Sequence, residues 1–97
     1  MQVSELVMEA YANAIARGFY DEPREFGTLI ALVHSELSEA LEKHRAGASW
    51  EEIGEELADA VIRIADMCGF YRINLEERLK AKMLKNLGRP RLHGKLY

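Results

Sequence analysis

Apolar residues recur at three- and four-residue steps along most of the chain, and nowhere in the two-residue alternation of a half-buried strand. Val3, Leu6, Val7, Ala10, Tyr11, Ala14 and Ile15 form one face of a first amphipathic helix that ends at Gly18. Residues 19 to 27, FYDEPREFG, contain Pro23 and Gly27 and read as a connection. A second helix is expected from Thr28 to Ala46, with Leu29, Leu32, Val33 and Ala40 marking its apolar stripe and Gly47 its stop. Ser49-x-x-Glu52 is a capping-box pattern opening a third helix to Arg72, on which Ile53, Leu57, Val61, Ile64 and Cys68 share one face. Asn74-x-x-Glu77 opens a fourth, through Leu87, closed by Gly88 and Pro90. The turn between helices two and three is short, so they should pair antiparallel. The expected fold is all-α: one domain over residues 1–97, a four-helix, bundle-like arrangement around a central antiparallel helical hairpin.

Charged positions interrupt this pattern in one place. Glu36 falls inside the arc of Leu29, Leu32, Val33 and Ala40, and Glu39 lies at its edge. The next helix repeats the arrangement with Glu56-x-x-Asp59, on a face shared with Glu52, Arg63 and Asp66. Residues three apart on a helix point the same way, so two antiparallel helices can assemble a four-carboxylate cage. Like charges against a core are costly unless a cation or hydrogen bonds compensate them. Oxygen ligands without Cys or well-placed His suit Mg²⁺, Mn²⁺ or Ca²⁺ rather than zinc. A single E-x-x-E is more often a solvated helix face; it is the second repeat that favours a site. A di-iron bundle needs Glu-x-x-His, and the residues three before His34, His44 and His93 are Ala31, Leu41 and Pro90.

Composition narrows the picture further. A chain of 97 residues with apolar residues on nearly every helix face, including Ile62 opposite the Ile53 stripe, gains burial by forming a homodimer or homotetramer. No apolar run is long enough to cross a membrane, and Glu5 and Glu9 interrupt any secretory h-region, so a cytoplasmic location is expected. The single Cys68 reads as a buried thiol. Between Glu36 and Asp66 acids outnumber bases nine to three, whereas from Arg72 onward bases outnumber acids eight to two. An acidic cage beside a basic tail suits a polyphosphate, with metal on one side and Lys and Arg on the other; neutralisation across a subunit interface is the alternative. Bases confined to the last quarter of a chain with net charge −3 argue against nucleic acid as partner. Phe19, Tyr20, Trp50, Phe70 and Tyr71 are open to two uses, stacking on a base or packing in the core.

Three segments in order, ELSEALE (Glu36 to Glu42), EELADAVIRIAD (Glu55 to Asp66) and KMLKNLGRP (Lys82 to Pro90), resemble the MazG-like members of the all-α nucleoside triphosphate pyrophosphohydrolase superfamily. The resemblance spans about residues 26 to 95, and the closing Arg89-Pro90-x-x-His93-Gly94-Lys95 is similar to the end of compact members. It implies Mg²⁺-dependent hydrolysis of a nucleoside or deoxynucleoside triphosphate between the α and β phosphates, with Mn²⁺ as a substitute metal and nucleotide-pool housecleaning as the role. The family's metal ligands map onto Glu36, Glu39, Glu56 and Asp59. Its phosphate or sugar contacts map onto Lys82 and Asn86, with Arg89 following. Glu36 and Glu39 are the candidate catalytic carboxylates, Glu36 being preferred as proton acceptor for its apolar setting. Arg63 and Asp66, one and two turns beyond Asp59, either hold the nucleotide, support the metal ligands from behind, or form an ordinary salt bridge. Two alternatives stay open: a phosphoribosyl-ATP pyrophosphohydrolase with similar acidic helices, and a non-catalytic helical interaction module, which would need no divalent metal.

Overall fold

The computed structural model describes residues 1 to 89; Pro90, His93 and Lys95 of the closing motif lie outside them. Among the described residues the chain forms four helices and no strand: α1 (Val3–Ala16), α2 (Phe26–Arg45), α3 (Trp50–Tyr71) and α4 (Leu75–Leu87). The local signals act where they were read. The Ser49 hydroxyl accepts from the Glu52 N–H at 3.1 Å, and the Asn74 side chain accepts from the Glu77 N–H at 3.1 Å, so each satisfies a donor that the first helical turn leaves unpaired. Gly47 takes φ of 80°, a backbone conformation that costs glycine little, and this reverses the chain between α2 and α3. α2 starts two residues earlier than Thr28. Glu25 is extended at the N-cap and its carbonyl already accepts from Leu29 N–H at 3.1 Å, so Phe26 and Gly27 join the first turn.

α3 is the shared helix, with α2 packed on one flank and α1 on another, while α4 rests chiefly on α1. The α2 flank is a seam in which Leu29 and Val33 meet Ala60 and Met67, with Phe19 and Ile30 packed against them. The α1 flank is set by Gly69. A Cβ there would lie 2.5 Å from Tyr11 Cβ, so the missing side chain lets α1 approach closely. Around that contact Tyr11 meets Tyr20 edge-on at 5.5 Å, and Tyr20 stacks on Phe70 at 4.4 Å. Of the aromatics with two possible uses, Phe19, Tyr20, Phe70 and Tyr71 thus contact one another. Trp50 is exposed, its ring 5.5 Å from that of His44.

The apolar stripe expected on α3 is only partly core. Ile53 and Cys68 are buried, but Leu57, Val61 and Ile64 face outward. α1 and α2 cover the small residues at Ala60, Ala65 and Gly69, which permit close approach, and leave the bulkier face open. α4 buries no side chain, and Met83, Leu84 and Leu87 are exposed along it.

Gly69→Ala is expected to force α1 away from α3 and cost about 1 to 3 kcal/mol. Gly54, on the same helix, has nothing within 4 Å of an added Cβ, and Gly54→Ala should be neutral or stabilise by about 0.5 to 1 kcal/mol. Thermal melts of the two variants measure the difference; equal melting temperatures would refute the close-approach role.

Candidate metal centre

Glu36, Glu56 and Asp59 each bring one carboxylate oxygen to within 4.8 Å of the other two. The α2–α3 seam explains why. Glu36 lies one turn from both Val33 and Ala40, is as buried as they are, and so is carried into the contact with α3. Glu56 and Asp59 are three apart on α3, beside the small Ala60 around which α2 packs. Two oxygens on opposite sides of Mg²⁺ stand about 4.2 Å apart, so small side-chain rotations close this triad on a hard divalent ion. Oxygen-only donors on two rigid helices fit Mg²⁺, Mn²⁺ or Ca²⁺ and do not discriminate among them.

Glu39, the fourth expected ligand, is exposed and stands beside the triad rather than within it. Its carboxyl is held above the ordinary carboxylate range, chiefly by hydrogen bonding with Glu56 and then by the charge of Glu36. Glu56 is held below that range, first by Lys43, whose Nζ lies 2.9 Å from Oε1. Arg63 donates from Nε to Glu36 Oε1 at 2.8 Å, so within this chain it is paired with one of the expected metal ligands. The two inward carboxylates are therefore each compensated by a cation of the chain itself.

Asp66 has a different role. Tyr20 donates its hydroxyl to Asp66 Oδ1 at 2.8 Å, tying the turn after α1 to α3. Burial raises the Asp66 carboxyl above its usual range, against the opposing effects of the Tyr20 hydrogen bond and Arg63. Burial and then Asp66 push the Tyr20 phenol far above its ordinary value.

The acidic cluster borders two hollows. A cleft of about 590 Å³ is lined by Glu36, Asp59, Arg63 and Asp66, by Asn13 of α1 and Arg17 just past its end, and by Phe19 and Arg24. On the other side, about 380 Å³ is lined by Ser35, Ser38, Glu39, Glu42, Lys43 and Glu56. Lys82 lies in neither. It lines a separate hollow of about 460 Å³ with Leu75, Arg78, Leu79, Ala81 and Lys85, which contains no acidic residue. Asn86 is exposed on α4, and the Arg89 N–H bonds its carbonyl at 3.2 Å just past Gly88. The structure thus brings together Glu36, Glu56 and Asp59, with Glu39 and Arg63 alongside, and keeps Lys82 in a hollow apart from them. Lys43, Arg17 and Arg24 escaped the sequence reading. Only Lys43 carried a signal, lying one turn beyond Glu39.

Comparison of the chain with known protein families, curated proteins and solved structures finds no match. Among the described residues no helix is long and apolar enough to cross a membrane.

Because the folded Asp66 pKa is raised, the unfolded chain gives up its proton first. Stability from this group is present below the unfolded carboxylate pKa and is lost as pH rises through the folded value. Asp66→Asn keeps an oxygen acceptor for Tyr20 without the buried charge. It is expected to melt at or above the parent chain at neutral pH, with the advantage shrinking as both are acidified. A variant less stable at neutral pH would show that the bonds to the ionised carboxylate outweigh its burial cost.

Proposed function

We propose that the chain is a Mg²⁺-dependent nucleoside triphosphate pyrophosphohydrolase, with Mn²⁺ as a substitute metal, acting on nucleoside or deoxynucleoside triphosphates in nucleotide-pool housecleaning. The observation that carries this reading is the convergence of carboxylate oxygens from Glu36, Glu56 and Asp59 beside a cleft that Arg17 and Arg24 also line. Glu36, Glu56 and Asp59 would hold the ion, with Glu39 as a further ligand or neighbour. When bound, the ion supplies positive charge against the phosphate oxygens and makes water more acidic. Water then attacks the α-phosphorus, the bond to the bridging oxygen breaks, and pyrophosphate leaves. Glu39 suits proton acceptance better than Glu36, since it stands beside the triad and Glu36 already accepts from Arg63. Lys43 and Arg63 hold the carboxylates in place while the site is assembled.

In this reading Lys82, Asn86 and Arg89 meet phosphates from a second copy, because within one chain Lys82 faces a different hollow. Self-association is supported by the open apolar face of the hairpin. Leu37 and Leu41 of α2 and Leu57, Val61 and Ile64 of α3 are exposed, and a groove of about 310 Å³ floored by Met67 runs between the two helices. Light scattering at micromolar concentration should give a dimer or tetramer; a clean monomer contradicts it.

The deciding experiment incubates the protein with each common NTP and dNTP, and with phosphoribosyl-ATP, in Mg²⁺, and separates pyrophosphate from orthophosphate. Pyrophosphate from a nucleoside triphosphate, lost in chelator, is the expected result. Asp59→Asn and Glu39→Gln should each abolish it while helical content is kept and metal-free melting is unchanged or higher, since each removes one charge from a crowded cluster. Full activity in either variant would remove that residue from the site.

A further inference from the structure

We infer that Arg17 and Arg24 form an anion subsite that grips the phosphate chain of the substrate from the α1 side of the cleft. This rests on the polyphosphate reading and adds to it a partner for the phosphate oxygens. Both arginines line the same cleft as Glu36 and Asp59. Among the described residues neither is in an ion pair, whereas Lys43, Arg45, Arg63, Arg78 and Lys80 each have a carboxylate. Their side chains are nevertheless held. Arg24 donates from Nε to the Phe19 carbonyl at 2.8 Å, and its guanidinium carbon lies 4.3 Å from the centre of the Phe19 ring. Arg17 donates from Nε to Asn13 Oδ1 at 3.4 Å.

In each case the side chain is anchored through Nε, and no hydrogen bond of the terminal amino groups is made among the described residues. Those groups are the ones that bind phosphate oxygens in pairs. A ligand suited to this cleft offers anionic oxygens to the arginines and a cation to the carboxylate triad. A metal-bound polyphosphate carries both charges along one molecule. Arg24 is held by a short hydrogen bond and a ring contact, which also reduces the side-chain entropy lost on binding.

The test uses the full chain and inorganic pyrophosphate as the probe, titrated calorimetrically with Mg²⁺ and again with chelator. Arg17→Gln/Arg24→Gln should weaken pyrophosphate binding by about ten- to a hundredfold in both conditions, the loss of charge-assisted hydrogen bonds. Asp59→Asn should remove only the part that depends on Mg²⁺. Because Arg24 also anchors Phe19, Arg17→Gln alone is measured as well, at a surface position, and should weaken binding severalfold with melting unchanged. Absence of pyrophosphate binding by the parent chain, unchanged binding in the arginine variants, or a loss confined to Lys82→Gln/Lys85→Gln would each overturn the subsite. The two readings fail separately. Arginine-dependent pyrophosphate binding without any triphosphate hydrolysis leaves the subsite and removes the enzyme; hydrolysis with binding indifferent to Arg17 and Arg24 does the reverse.

Discussion

The ion pair of Arg63 with Glu36, 2.8 Å long in the seam between α2 and α3, is where packing and chemistry become one contact. A carboxylate buried to the same degree as Val33 and Ala40 is tolerated only with a cation in hydrogen-bonding range. Lys43 does the same for Glu56 from the other helix of the hairpin. Each helix therefore supplies a cation to the other's carboxylate, and the α2–α3 register that buries Leu29 and Met67 is also the register that satisfies the charges. A divalent ion entering the triad would compete with these internal cations. Its affinity would then be a difference between two ways of compensating the same carboxylates.

α3 keeps three uses on three faces. The Ala60 side receives α2 and the acidic cluster, the Gly69 side receives α1 and the aromatic cluster, and the Leu57, Val61 and Ile64 side stays open. Small residues, Ala60 and Gly69, mark the closest approaches on the two covered faces.

Local features were readable in the sequence because their causes are local. Ser49 and Asn74 cap within three residues of where they stand, and the anomaly of Glu36 is a matter of periodicity along one helix. Periodicity says which residues share a face, though not what covers it, so it does not tell that Ile53 and Cys68 of the α3 stripe are buried while Leu57, Val61 and Ile64 are open. Spacing also aims Glu36 and Glu39 only to within part of a turn. The rotation of α2 against α3 decides that Glu36 points into the triad and Glu39 stands outside it. Arg17 and Arg24 enter the cleft because the chain folds back after Gly18, a long-range arrangement held by Tyr20 on Asp66, and no short motif records it.

α4 shows what light anchoring means for a charged segment. It has 13 residues and no buried side chain, a good cap at Asn74, and a bond from Ser4 N–H to Glu76 at 3.2 Å tying it to the start of α1. A helix of that length is marginal in water when packing does not support it. Its backbone amides thus belong to the low end of the local stability scale, opening without the hairpin having to melt. Among the described helices α4 carries the densest positive charge and buries no side chain, so its bases are the ones whose position packing constrains least.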